Sequence, residues 1–311
     1  MQQVAADTGL TRRQVIVDYW VVRVLYALHL RLPADGTPGE SQLRGHHRSA
    51  GSSSAGMWAF SGGNSLSMAW GITRRFSDDI DGTLLTADHR RGSPNRDAHA
   101  CRTVAEWAAS DPAVSCGTTV GSRIRATMLN IAAAETDVKL ETTLLHVPDG
   151  LVATCEVNSL LARRGDPEWA LRFPELGGFE LPCVYPWWTA VNKLDALHRR
   201  AARGDLGGLC ARGRDLYDLW SIAAQPTHAA QTREHAPQMW RTASAAVRAP
   251  TPRPLHGYGT SPAFTEGTPA YEALRDGYHR ALDTTVWGPK PRFETAVKAA
   301  RSLDMVGFSD D

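Results

Sequence analysis

Cysteine is scarce in this 311-residue chain, and its placement rules out several architectures at once. Cys101, Cys116, Cys155, Cys183 and Cys210 are odd in number and widely spaced, with no CxxC pair and no Cys/His ligand spacing. A structural zinc module is therefore not expected. Reduced thiols fit this usage better than a disulfide framework, which points to a reducing compartment. An excess of one charge is also missing. Against 34 Lys+Arg stand 33 Asp+Glu, a formal net charge of +1. The chain as a whole lacks the basic surplus of many nucleic-acid binders, although a local basic face remains open. Long apolar runs are absent too. The most apolar early stretch, Val15 to Leu30, is interrupted by Asp18, Arg23 and His29 and is too polar to span a bilayer. The N-terminus has no signal-peptide succession, and no internal repeat occurs. These absences predict a cytoplasmic protein that neither crosses nor needs a membrane.

What is present is an ordinary globular balance, 42% hydrophobic and 22% charged, enough for one large domain or two lobes. Val15, Tyr19, Val22, Leu25 and Tyr26 recur at helical spacing, so residues 11–30 read as an amphipathic helix with Asp7 or Thr11 as its cap. Residues 33–56 are rich in Gly, Ser and Pro and read as a loop. Met57-Trp58-Ala59-Phe60 is a short strand running into Ser61-Gly62-Gly63, and Asn64 is expected to cap the helix that follows. A second strand spans Asp78 to Leu85. Polar residues 86–100 read as a loop before a helix near 101–110, and 122–134 as an irregular or strand segment. Asp137 to Val147 alternates as a half-buried strand, with Val138, Leu140 and Thr142 on one side and Asp137, Lys139 and Glu141 on the other. Beyond 186 helices are predicted at 189–202, 214–223, 232–247, 269–283 and 291–303, interrupted by a Pro/Gly-rich loop at 249–268.

The chemistry concentrates around Asp79-Ile80-Asp81. Residues i and i+2 of a strand share a face, so both carboxylates can grip one hard cation. Such a cation bridges nucleotide phosphates and offsets charge developing during transfer. Gly62 and Gly63 let backbone approach phosphate oxygens, and the next helix start presents free N–H groups to an anion. A solitary Asp-x-Asp is usually a pair of solvated acids. The order strand, Gly-Gly, helix, strand, Asp-x-Asp is far more specific.

With that order in view, Phe60-Ser61-Gly62-Gly63-Asn64-Ser65-Leu66-Ser67 followed by Arg75-Phe76-Ser77-Asp78-Asp79-Ile80-Asp81 resembles the signature of the AbiEii/AbiGii-type nucleotidyltransferase toxins. These are MenT-like type IV toxins of the DNA polymerase β-like nucleotidyltransferase superfamily. Three further stretches resemble the family in the same order. They are Asp18-Tyr19-Trp20-Val21, the run from Val184 to His198 (P-x-x-T-x-x-x-K-x-x-A-L-H), and Arg214-Asp215-Leu216-Tyr217-Asp218-Leu219.

The resemblance implies roles residue by residue. Asp79 and Asp81 would be metal ligands. Glu141 stands where the family carries a strand acid, as third ligand or as proton acceptor, with Asp137 as the substitute and a plain pairing with Lys139 as the competing reading. Lys193 would meet the triphosphate as a point charge. Asp215 and Asp218, three apart on one helix face, would position Lys193, the nucleotide or the metal; a surface pairing of Arg214 with Asp218 is the alternative. Gly62, Gly63, Asn64, Ser65 and Arg75 would line the nucleotide, and Ser77 is a candidate phosphorylation site whose added charge would oppose nucleotide binding. Basic residues such as Arg90, Arg199, Arg200 and Arg203 would rim a phosphate-bearing substrate. The chain departs from the family at Ser61 and Met68, where lysines are common, and at Asn64 and Asn192; a different nucleotide preference would follow.

The fold implied is α+β and bilobed: a nucleotidyltransferase-like mixed sheet with helices over 1–185, and a helical lobe over 186–311 completing a cleft. The activity implied is Mg²⁺- or Mn²⁺-dependent transfer of NMP from an NTP to RNA, with the tRNA 3′ acceptor end favoured, and a cognate antitoxin as partner. Nucleotidylation of a protein or small molecule, and nucleotide or RNA binding without turnover, are the alternatives.

Overall fold

Valine and leucine fall on nearly every side of helix α2 (Arg12–His29), and Val15, Val21, Val22, Val24, Leu25 and Leu28 are all fully buried. A helix apolar this far round belongs inside a domain rather than on its surface. Thr11 starts it with a reciprocal cap: its side chain accepts from Gln14 N, and the Gln14 side chain accepts from Thr11 N. In the structure, a computed structural model that describes residues 1–32, 57–85, 94–121, 124–145, 152–228 and 260–303, the chain forms two compact units. The first comprises Met1–Ala69 and Ser77–Val184, the second Trp70–Phe76 and Tyr185–Asp311.

The first unit is built on a seven-stranded mixed sheet. Its strands are β1 (Met57–Ser61), β2 (Asp79–Leu85), β3 (Ser115–Cys116), β4 (Ile124–Ile131), β5 (Thr136–Leu145), β6 (Val152–Val157) and β7 (Phe179–Val184), in the order β3-β4-β5-β2-β1-β7-β6. β2 runs antiparallel to β1 and parallel to β5, and β1 runs parallel to β7. Ile80, Val138, Leu140 and Thr142 are buried on one side of the central strands, where α2 and helix α4 (Pro94–Ala108) pack. The acidic side chains of β2 and β5 alternate with them and face the other way.

The expected α+β class is what the structure has, with some boundaries moved. α4 begins at Pro94 rather than near 101, because proline suits the first turn of a helix. Within the 122–134 stretch, Ile124–Ile131 is strand β4 and Ala132–Ala134 a single 3₁₀ turn. β6 and β7 were not foreseen: each is only six residues long, β6 does not alternate cleanly, and β7 carries Pro182, a residue that argues against a strand. The loop expected at 33–56 and the helix expected at 232–247 lie outside the described residues.

The second unit is helical. Helices at Pro186–Ala202, Leu206–Cys210, Gly213–Ala223, Pro269–Thr285 and Phe293–Ser302 pack on one another. Gly213 and Gly277 allow backbone-to-backbone approach, since a Cβ on Gly213 would overlap the main chain of Gly277 and a Cβ on Gly277 that of Cys210. The segment Trp70–Phe76 runs along this bundle, with Phe76 N bonded to Thr285 O at 2.8 Å and Trp287 N to Arg74 O at 3.0 Å. Among the described residues no helix is long and apolar enough to cross a membrane.

Candidate active site

In the first unit the sheet register assembles the acids. Asp79 and Asp81 flank fully buried Ile80 and are themselves half-buried, as the strand alternation requires. On the parallel neighbour β5, Lys139 stands opposite Asp79 and Glu141 opposite Asp81. Residues opposite one another share a face, and adjacent strands lie about 4.8 Å apart. Lys139 Nζ lies 3.3 Å from Asp79 Oδ1 and 3.1 Å from Glu141 Oε1. Partial burial pulls the lysine pKa down, but the two carboxylates outweigh it and hold it above its ordinary value. Asp137 lies beyond the end of β2, opposite Asn130, and its carboxylate accepts from Asn130 Nδ2 at 2.9 Å. The register thus places Glu141, not Asp137, beside Asp81.

Gly62 sits under Asp81. It opens helix α3 (Gly62–Met68) with φ +71°, and a Cβ there would overlap the Asp81 carboxylate. Asn64, expected as the cap of that helix, lies within it instead; Ser61 holds the cap position in extended backbone. The Asn64 amide turns toward β2 and donates to the carbonyls of Ser77 and Asp79, which fixes the helix against the start of the acid-bearing strand. Ser65 donates to Gly62 O at 2.9 Å. Both side chains are buried and committed to backbone. Ser77 is 7% exposed, so a kinase would have to open this segment to reach it. At the other end of α3, Met68 O accepts from Asn158 N and from Arg163 Nη2.

The remaining predicted residues gather in the second unit. Arg75 makes a two-pronged pair with Asp218, Nε to Oδ1 at 2.6 Å and Nη2 to Oδ2 at 2.7 Å. Lys193 Nζ lies 2.6 Å from Asp215 Oδ1 and 2.9 Å from Asp218 Oδ2. Arg212 closes the set on Asp215 Oδ2 at 3.0 Å. Burial would push the Asp215 carboxyl up, but Lys193 and Arg212 hold it well below the ordinary range. Burial likewise pulls Lys193 down and Arg75 repels it, yet Asp215 and Asp218 leave it raised. The face carrying Asp215 and Asp218 is therefore an inner one, and Asp218 is fully buried. Asp218 pairs with Arg75 and Lys193 rather than with Arg214. Arg75 was expected to line the nucleotide; its guanidinium is paired with Asp218. Arg199 and Arg200, predicted rim residues, pair with Asp195 and Asp205.

Sequence reasoning underrated Lys139, which it treated as a competitor for Glu141 alone, and passed over Arg212. Both signals were available: alternation puts Lys139 on the acid face, and Arg212 is three residues from Asp215.

The donor set suits a hard cation. Asp79, Asp81 and Glu141 offer only carboxylate oxygens, and Mg²⁺ is ordinarily bound by one or two carboxylates with water and substrate phosphates completing its shell. Among the described residues no group of three His, Cys, Asp or Glu side chains converges as a ready-made cage. An open, two-aspartate seat is compatible with an ion that arrives with phosphates.

No curated protein matches the chain. Two solved structures resemble it. One is described as the crystal structure of JHP933 from Helicobacter pylori, with 11% identity, 94% of this chain and 93% of that chain covered, and a TM-score of 0.38. The other is a candidate nucleotidyltransferase from H. pylori, with 12% identity, 94% and 96% coverage, and a TM-score of 0.37. A family model described as the nucleotidyl transferase AbiEii toxin of type IV toxin–antitoxin systems matches residues 49–299, most of the chain, and the protein belongs to that family of nucleotidyltransferase toxins.

Proposed function

We propose that the protein transfers a nucleoside monophosphate from an NTP to the 3′ hydroxyl of an RNA, with the tRNA acceptor end as the favoured substrate. The observation that carries this reading is the pair Asp79 and Asp81 on one open strand face, set over Gly62 and level with Glu141. Asp79 and Asp81 would hold a divalent cation, which would supply positive charge against the negative charge developing during transfer. Glu141 is the acid next to this pair, suited to complete the ligand set or to accept the proton of the attacking hydroxyl. That hydroxyl attacks the α-phosphorus, and the bond to the pyrophosphate oxygen breaks as the new O–P bond forms. The main chain from Gly62 to Ser65 approaches the phosphates, because Asn64 and Ser65 have turned their side chains away.

Lys193 is the cation assigned to the triphosphate, and within its own unit Asp215 and Asp218 fix its ammonium. Arg75 acts on the lysine through Asp218 and is a positioning residue. Ser61 and Met68, in place of lysines common in the family, leave the nucleotide fewer cationic contacts and shift the choice of base. A cognate antitoxin is the expected protein partner.

The test is incubation with each labelled NTP in turn, Mg²⁺ and total tRNA. Label should appear on tRNA and fall by about a thousandfold in Asp79→Ala, the loss expected when several kcal/mol of electrostatic stabilisation is removed. Label on protein or on a small molecule would redirect the assignment to that acceptor. Tight NTP binding with no transferred label would make the protein a nucleotide binder.

A further inference from the structure

Lys139 has no part in the reaction as drawn, yet it touches two of the three acids. It stands opposite Asp79 across the β2–β5 register and two residues from Glu141 on its own strand, so all share one face. Its ammonium lies 3.3 Å from Asp79 Oδ1 and 3.1 Å from Glu141 Oε1. Without it, Asp79, Asp81 and Glu141 would set three negative charges on neighbouring positions of one sheet, spaced by about 5–7 Å. A charge between two of these carboxylates does what a bound cation does: it neutralises them and draws them together. The side chains of Asp79, Glu141 and Lys139 remain 26–35% exposed, so a dissolved ion can reach them and the lysine can leave.

We infer that Lys139 is a resident counter-ion of the metal seat, holding Asp79 and Glu141 in the cation-free protein and giving them up when a divalent cation binds. This rests on Asp79 and Asp81 being metal ligands, and it adds a consequence that reading does not contain. The lysine competes with the metal, so the seat has low affinity for a bare ion. A nucleotide relieves the competition, because its phosphates offer the displaced ammonium a new partner on the same face. Metal and nucleotide then bind with positive coupling, each favouring the other by the same factor. A lysine that merely decorates the surface would leave metal affinity where it is, as most exposed ion pairs contribute little.

The experiment is a Mn²⁺ titration of the full-length, nucleotide-free protein, with free ion followed by electron paramagnetic resonance and folding checked by circular dichroism. Lys139→Met is expected to bind Mn²⁺ about tenfold more tightly than the wild type, the scale of two exposed ion pairs that the metal no longer has to displace. Lys139→Gln, which keeps hydrogen-bonding capacity without charge, should behave alike and covers the case in which the methionine variant misfolds. Lys139→Arg should stay near the wild type. A non-hydrolysable NTP analogue should tighten Mn²⁺ binding more in the wild type than in either neutral variant. If the neutral variants bind Mn²⁺ no more tightly than the wild type while Asp79→Ala abolishes binding, the counter-ion role is overturned and the metal seat survives. If no variant binds Mn²⁺ with or without the analogue, the seat and the counter-ion fall together.

Discussion

Gly62 meets two separate demands in one position. Its φ of +71° lies in the left-handed region, and the space its missing Cβ would fill is taken by the Asp81 carboxylate. The first demand costs a non-glycine residue about 1–2 kcal/mol of strain, and the second displaces a proposed metal ligand. Gly62→Ala is therefore expected to lower nucleotidyl transfer by at least about a hundredfold, as a misplacement of about 1 Å can at a reacting site. The folded content seen by circular dichroism should stay nearly unchanged. Full activity in that variant would show that Asp81 does not depend on the glycine below it. The pair Gly62 and Asp81 was legible in sequence as two motifs; that one touches the other was not, because nineteen positions separate them and only strand pairing of β1 with β2 closes the distance.

The Asp18-Tyr19-Trp20 stretch of α2, read in sequence as a family signature, ties elements together within the first unit. Asp18 Oδ2 accepts from Leu160 N at 2.9 Å, at the start of the helix Leu160–Arg164, and Tyr19 donates its hydroxyl proton to Glu175 Oε1 at 2.7 Å. Burial raises the Asp18 pKa from 3.8 to about 6, against the opposing pull of the Leu160 amide and Arg163. The folded state thus prefers neutral Asp18. Its contribution to stability is full below the unfolded pKa and is lost as pH rises through about 6. Asp18→Asn keeps an acceptor for Leu160 and removes the charge. It should stabilise the protein at pH 7 by about 1–3 kcal/mol and flatten the dependence of melting temperature on pH between 4 and 6. An unaltered profile would place the titration elsewhere. Elements with a strong local pattern, the long apolar α2 and the alternating β5, were readable in advance. β6 and β7 were not, because runs of six residues declare themselves as strands only through their pairing with each other and with β1.

The chain enters the helical unit twice, briefly at Trp70–Phe76 and again from Tyr185 onward. The short visit delivers Arg75, which with Lys193 neutralises the fully buried Asp218. A fragment of residues 185–311 lacks that arginine. Removing one partner of a buried ion pair typically costs about 3–5 kcal/mol, so the isolated fragment should melt without a cooperative transition in calorimetry. A sharp transition would show that residues 70–76 are dispensable to the unit. Sequence by itself determined the secondary-structure period of the central elements, the alternation that turns Asp79, Asp81 and Glu141 to one side, and the family motifs that mark the reaction class. These are local properties, written in spacings of two, three or four residues. Only the tertiary structure decided which charges neutralise which. Arg75 goes to Asp218 across 143 positions and Lys139 to Asp79 across a strand pair, because partner choice among ions depends on distance and burial, and neither is encoded in spacing along the chain.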